Sequence, residues 1–244
     1  MTDSSTKVAL ITGANKGIGF EVARQLAKCG CTVLLGARSS DLGERAAAQL
    51  RSEDLDVRFV ELDLARQETI AAASRRIETD FGKLDILVNN AGIADQADGP
   101  PSTANVDAVE RTLKTNFLGA LSVTQVMLPL VRKSSQGRIV NVSSGLGSLT
   151  FHGDPAWEYA SVKFIGYCAS KAALNMLTVQ LAYELRDTPI KVNSADPGYT
   201  ATDLNGNRGI QTVEQGAAET LRLALLPEVG PTGGFFATSG PNPW

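Results

Sequence analysis

Tyr167 and Lys171 stand four residues apart in the run Tyr167-Cys-Ala-Ser-Lys171. On a helix that spacing brings a phenol and an ammonium onto one face. A free tyrosine loses its proton at about pH 10 and is a poor base at neutrality. A neighbouring cation favours the phenolate. Lowering the phenol pKa by about three units takes roughly 4 kcal/mol of differential stabilisation. One ammonium can supply part of that and a positively charged cofactor ring can supply more. The pair is thus composed like a proton shuttle for neutral pH. Tyrosine and lysine also fall four apart by chance in many helices, so the pair acquires meaning only beside a cofactor site and an oxyanion donor.

A cofactor site is legible near the N-terminus. Val8-Ala-Leu-Ile-Thr12 is an apolar run long enough for a buried strand. It leads into Gly13-Ala-Asn15-Lys16-Gly17-Ile18-Gly19, after which Phe20, Val22, Ala23, Leu26 and Ala27 recur at helical spacing. Strand, glycine turn and helix in that order form the context of a dinucleotide site. The glycines let the backbone approach a pyrophosphate, and the helix N-terminus offers free N–H groups and positive dipole. The spacing G-x-x-x-G-x-G departs from the commoner G-x-G-x-x-G.

Four further landmarks follow in order: Asn89-Asn90-Ala91-Gly92, Ser143 after a strand, Tyr167 with Lys171, and Pro197-Gly198 with Thr202 close behind. With these, the chain resembles the short-chain dehydrogenase/reductase family over nearly its whole length. Asn15-Lys16-Gly17 resembles the turn of its carbonyl-reductase-like members, which use NADPH.

The segments that must position these residues alternate between strand-like and helix-like. Candidate strands are Val8–Thr12, Thr32–Ala37, Val57–Leu62, Ile86–Asn89, Arg138–Ser143, Ile190–Ala195 and Gly234–Ala237, with helical periodicity between them, clearest in Ala172–Leu185. The expectation is a single-domain α/β protein, residues 1–244: a Rossmann-type, doubly wound parallel sheet of about seven strands with helices on both faces. Ligands of such sheets sit beyond the carboxyl ends of the strands, near the reversal of strand order. Each landmark falls at a predicted strand end or on the helix facing it.

Composition narrows the function. A net charge of −3 offers no field for nucleic acid or an anionic membrane. The polar start, Met1–Lys7, lacks the apolar core of a signal peptide, and no apolar run approaches the ~20 residues of a membrane span. Cys29, Cys31 and Cys168 have no metal-like spacing with the sole histidine, His152, and read as free thiols. A reducing, cytoplasmic compartment is the default expectation.

The second strand ends at Ala37-Arg38, where an NAD-preferring site would place an acid for the ribose hydroxyls. Arg38 instead offers a guanidinium fork suited to a 2′-phosphate, and Lys16 can add a second positive charge there. The family resemblance implies further NADP(H) contacts. It places the cofactor on the turn formed by Gly13, Asn15, Lys16, Gly17, Ile18 and Gly19, with Asp63 and Leu64 at the adenine edge. Asn90, Ala91 and Gly92 would line the adenosine ribose, Lys171 would bond the nicotinamide ribose beside Tyr167, and Pro197, Gly198 and Thr202 would hold the nicotinamide. Asp63 has a second reading as the N-cap of a helix over Ala65–Ile77.

Catalysis follows the same resemblance. Hydride moves between the nicotinamide and a carbonyl carbon while Tyr167 transfers the proton, Ser143 steadies the oxygen and Lys171 lowers the tyrosine pKa. Asn116, in Lys114-Thr-Asn-Phe117, would hold a water linking Lys171 to solvent, whereas by itself it reads as a helix-bending residue. Tyr159-Ala-Ser-Val-Lys163 is a competing pair nearer to Ser143. Counting back from Pro197-Gly198 favours Tyr167, and Gly166 would interrupt a helix begun at Tyr159.

Leu146–Glu158 (146–158) then reads as an insertion ahead of the catalytic helix. Its Leu149, Phe151, His152 and Trp157, with Ser143 and Tyr199, would wall a mostly apolar substrate pocket. Relatives with longer insertions here are monomers, so a homo-oligomer remains open, as does the role of Trp244. The expected activity is reversible reduction of a ketone or aldehyde by NADPH, a small-molecule carbonyl or alcohol being the partner. A non-catalytic NADP(H)-sensing regulator is the alternative. A methyltransferase on a similar sheet would need an acid where Arg38 stands.

Overall fold

The computed structural model describes residues 6–244; Met1–Ser5, part of the polar start read above, lie outside the described residues. Alternation along each strand divides the core in two. In β1 (Val8–Thr12), Ala9 and Ile11 join one apolar cluster while Val8 and Leu10 join the other. The same parity separates Val33 and Leu35 from Leu34 in β2 (Thr32–Ala37), and Val140 and Val142 from Ile139 in β5 (Arg138–Val142). Successive side chains of a strand point to opposite faces, so a strand covered on both sides is apolar throughout.

One face is covered by α1 (Gly17–Lys28), α2 (Ser40–Arg51) and α8 (Val213–Ala224). The other is covered by α3 (Gln67–Phe81), α5 (Ala120–Val131) and α7 (Ile165–Glu184). The remaining strands are β3 (Val57–Glu61), β4 (Ile86–Asn89), β6 (Lys191–Ala195), β7 (Phe235–Ala237) and β8 (Gly240–Pro241). The sheet order is β3-β2-β1-β4-β5-β6-β7-β8, parallel except for β8. Strand order reverses between β1 and β4, and a ligand crevice belongs at that point.

The seven expected strands all form, within a residue at either end. The eighth is an antiparallel edge pair made by a tight turn after Ala237. With only Gly240 and Pro241, it carries no hydrophobic signal, and Pro lacks the N–H a central strand would need. The helix beyond β3 starts at Gln67, with Arg66 as its N-cap; Asp63 instead accepts from Ala65 N–H at 3.0 Å in the preceding turn.

Beneath the carboxyl edge, Asn89, Asn141 and Ser194 stand in register across β4, β5 and β6. Asn89 donates to Asn141 at 2.8 Å and Asn141 donates to Thr178 at 2.7 Å, while Thr178 meets Ser194 at 2.8 Å. A buried polar row of this kind favours one register, because a slipped strand would strand these groups without partners.

Candidate active site

Helix α7 begins at Ile165, so Tyr167 and Lys171 share its first turns, whereas Tyr159 and Lys163 lie in the turns before it. The Lys171 Nζ sits 5.7 Å from the Tyr167 ring centre and donates to Val142 O at 2.7 Å. No side chain at the N-cap Phe164 holds the helix start. Asp98 does so from a distant loop, accepting from Gly166 N–H at 3.0 Å and Tyr167 N–H at 2.9 Å. Asp98 lies in Ala94–Asn105, a stretch without hydrophobic periodicity, and only the folded chain shows what it does.

The two serines after β5 part company. Ser143 keeps the parity of Asn141, which faces α7. It is buried, its N–H donates to Ala195 O, and its hydroxyl lies 3.5 Å from Lys171 O. Ser144 leaves the sheet; its hydroxyl accepts from Leu146 N–H at 3.2 Å and is placed to draw the Tyr167 phenol pKa down. The serine that acts on the Tyr167 phenol is thus Ser144, whereas the expectation placed Ser143 there. Strand parity carried past Asn141 was the signal that could have separated them.

Asn116 falls in a π-helical turn, Lys114–Gly119, between α4 (Val106–Leu113) and α5. Its amide donates to Ile93 O at 2.9 Å and Ser170 Oγ at 3.0 Å and accepts from Ile93 N–H at 2.8 Å. A Cβ on Gly92 would lie 3.4 Å from Asn116 Oδ1 and 3.6 Å from Lys171 Nζ, so the three residues meet at one place. The asparagine locks the loop after β4 to α7 with most of its hydrogen-bonding capacity.

The electrostatics differ from the simple expectation for the pair. Burial pushes the Tyr167 phenol well above its usual range; the Ser144 hydroxyl pulls it back, and Asp196 and Cys168 add to the rise. Burial also brings the Lys171 ammonium down to about 8, with Asp196 holding it up. In this arrangement the low polarity around the two groups outweighs their mutual effect.

The turn after β1 is shaped for a dinucleotide. Gly13 and Gly17 have φ of +62° and +58°, and a Cβ on Gly13 would come within 2.9 Å of Ala91 Cα. Asn90 donates to Thr12 O at 2.9 Å and Gly13 O at 3.1 Å, bracing the turn rather than reaching outward. Lys16, the N-cap of α1, makes no side-chain cap bond, and Ile18 packs on the core behind the turn. Arg38 is exposed at the end of β2, whose Gly36 pairs with Thr12, so Lys16 and Arg38 come from adjacent strand ends. Leu64 lies against Gly119, and Thr202 lies against Gly17 across the crevice. Lys16 Nζ pairs with Asp203 at 2.6 Å. These groups suit a phosphate-bearing dinucleotide: glycine clearance, uncapped N–H groups and two cations.

The insertion becomes a short helix, α6 (Leu149–Gly153), and a run of turns. Phe151 stacks on Trp157 at 5.1 Å, Trp157 meets Tyr159 edge-on at 5.5 Å, and Tyr159 is 6.2 Å from Tyr199. A Cβ on Gly145 would lie 3.5 Å from Trp157, which sets the aromatic cluster directly beside the Ser144 turn. Tyr159 therefore joins the aromatic cluster. His152 also meets Trp157 edge-on. Leu149 is 76 % exposed and faces water instead. Trp244 stacks on Phe235 at 5.6 Å, and its carbonyl oxygen accepts from Thr150 N–H and Oγ, tying the C-terminal segment to α6.

Among the described residues no helix is long and apolar enough to cross a membrane. The short chain dehydrogenase family model matches residues 7–212. The chain is 38 % identical to a short-chain dehydrogenase of Penicillium roqueforti, covering 89 % of this chain and 88 % of that one. It is 35 % identical to carbonyl reductase [NADPH] 1 of Mus musculus, covering 99 % of each. The NADPH-bound carbonyl reductase from chicken fatty liver superposes with a TM-score of 0.85 at 27 % identity, over 98 % of this chain and 99 % of that one. The chain belongs to the short-chain dehydrogenase family.

Proposed function

From that membership we propose that the protein is an NADPH-dependent reductase of ketones or aldehydes, working as one domain and able to run in the oxidative direction. The observation that carries the proposal is the meeting of three groups at one centre: Lys171 Nζ lies 5.7 Å from the Tyr167 ring centre, and the Ser144 hydroxyl is placed to draw the phenol pKa down. Two hydroxyls on one centre can both donate to a single carbonyl oxygen, which is the geometry that stabilises charge developing there.

When bound, NADPH supplies the hydride that reaches the carbonyl carbon. Tyr167 Oη gives its proton to the carbonyl oxygen, and Ser144 Oγ holds that oxygen while charge builds on it. Lys171 would stabilise the tyrosinate left behind, and its ammonium would hold the nicotinamide ribose. Asn116 fixes the Ile93 backbone and Ser170 beside it. Gly13, Asn15, Lys16, Gly17, Ile18 and Gly19 would hold the pyrophosphate and neighbouring groups. Arg38, with Lys16, would select the 2′-phosphate. Asp63 and Leu64 would meet the adenine, Asn90, Ala91 and Gly92 would shape the ribose site, and Pro197, Gly198 and Thr202 would orient the carboxamide. Phe151, Trp157, Tyr159 and Tyr199 form the apolar wall that receives the substrate's carbon skeleton.

Loss of NADPH absorbance, followed with a panel of ketones and aldehydes for wild type and Tyr167→Phe, tests this directly. Turnover by wild type and its loss in the variant is the expected result. Tight NADPH binding with no turnover across the panel would instead favour a cofactor-sensing role.

A further inference from the structure

Asp196 is a half-buried carboxylate that the proposed chemistry leaves unassigned. It follows β6, and its side chain gathers three separate segments. Oδ1 accepts from Gly198 N–H at 3.0 Å, and Oδ2 accepts from Asn242 Nδ2 at 2.9 Å. Gly145 also lies against this carboxylate, where a Cβ would come within 3.1 Å of Oδ2. Gly145 adjoins Ser144, Gly198 belongs to the turn after β6, and Asn242 follows β8.

We infer that Asp196 is a positioning residue for proton transfer: it clamps the Ser144 turn to the Gly198 turn and the C-terminal segment, and it supplies a fixed negative charge opposite Lys171. The inference rests on the reading of Tyr167 as proton donor. The clamp explains how a serine just outside the sheet keeps its hydroxyl on the phenol. Burial pushes its pKa up, while the hydrogen bonds from Gly198 and Asn242 and the charge of Lys171 favour the ionised carboxylate. Its field in turn reaches Lys171, Tyr167 and Tyr159. The other ionisable groups around the pair are Cys168 on α7, Tyr199 beyond Tyr159, and Asp98 at the start of α7.

A neighbouring negative charge opposes loss of a proton from the tyrosine–lysine pair, whichever of the two protons leaves. Asp196→Asn keeps the side-chain shape and removes the charge. The alkaline limb of the kcat profile for carbonyl reduction is therefore expected to move to lower pH by about one unit, with kcat reduced at the optimum. A near-UV phenolate titration, taken as the difference from the same variant carrying Tyr167→Phe, is expected to move the same way and needs no turnover. Asp196→Ser, whose hydroxyl can still accept from Gly198 N–H, gives the same direction of shift should the asparagine variant not fold.

A lower kcat and melting temperature with both pH curves at their wild-type positions would overturn the inference and leave Asp196 a purely structural link. Should Tyr167→Phe retain turnover, the proton-donor reading fails, and with it the role of Asp196 in proton transfer. Should Tyr167→Phe abolish turnover while the Asp196→Asn curves match wild type, only the inference about Asp196 fails.

Discussion

The Asp98 carboxylate accepts from the Tyr167 N–H at 2.9 Å across 69 residues of sequence, so a loop between β4 and α4 holds the first turn of the catalytic helix. The same carboxylate takes the Gly166 N–H, so it satisfies two donors at a helix start where Phe164 makes no side-chain cap bond. A helix start left without such acceptors frays, and here the fraying turn would carry the proposed acid.

Asp98→Ala is expected to cost about 1–2 kcal/mol, the range for removing a capping acceptor. A melt should show a lower transition temperature, and steady-state kinetics a fall in kcat larger than any rise in KM. Unchanged kcat would separate the cap from catalysis.

The two serines are expected to differ in kind. Ser144→Ala removes a donor to the reacting oxygen and should lower kcat by about 100-fold or more. Ser143→Ala removes only a weak contact to Lys171 O and should leave kcat within about tenfold. A larger effect at Ser143 would reverse the assignment.

Tyr159→Phe keeps the ring that contacts Trp157 and Tyr199 and is expected to leave kcat within a fewfold of wild type. Tyr167→Phe should cost about 100-fold or more, the scale of general acid catalysis. Equal losses would bring the earlier tyrosine into the proton path.

Arg38→Ala should raise the KM for NADPH far more than that for NADH, since only the first carries a 2′-phosphate. Asp203→Ala frees Lys16 from an exposed ion pair, and such pairs are worth about 0.2–1 kcal/mol. NADPH binding measured by fluorescence titration should tighten by no more than about fivefold. Equal effects of Arg38→Ala on both cofactors would remove the phosphate role.

Lys171 is a buried base whose pKa falls on folding to about 8. Between that value and its higher unfolded pKa, the unfolded chain binds more protons, so this group's contribution to stability rises with pH. Below about 8 the cost of the buried ammonium is fully present. Lys171→Met should therefore change the melting temperature more favourably near neutral pH than at about pH 10, while abolishing turnover. An identical change at both pH values would mean that the ammonium is not strained by burial.

Much of this was open to the sequence. The strands from Val8 to Ala237 announce themselves because a strand buried on both faces must be apolar along its length. The glycine turn, Tyr167 and Lys171 announce themselves because their chemistry depends on spacing within one turn or helix, whereas Asn116 was reached only through the family resemblance. The choice of Tyr167 over Tyr159 was already favoured by Gly166 and by distance from Pro197. β8 was silent, since two edge residues need no hydrophobic pattern.

What the sequence by itself determined was the sheet, the cofactor turn and the residue types of the proton-transfer pair, all encoded by local periodicity and short spacings. What only the tertiary structure decided was which serine faces the phenol, which acid caps α7, and how Asp196 joins Gly145, Gly198 and Asn242. Those depend on the direction of side chains at strand ends and on contacts between segments far apart in the chain. Strand parity can tell the two serines apart, but not which group each one meets, because those partners arise only when the strands are laid side by side.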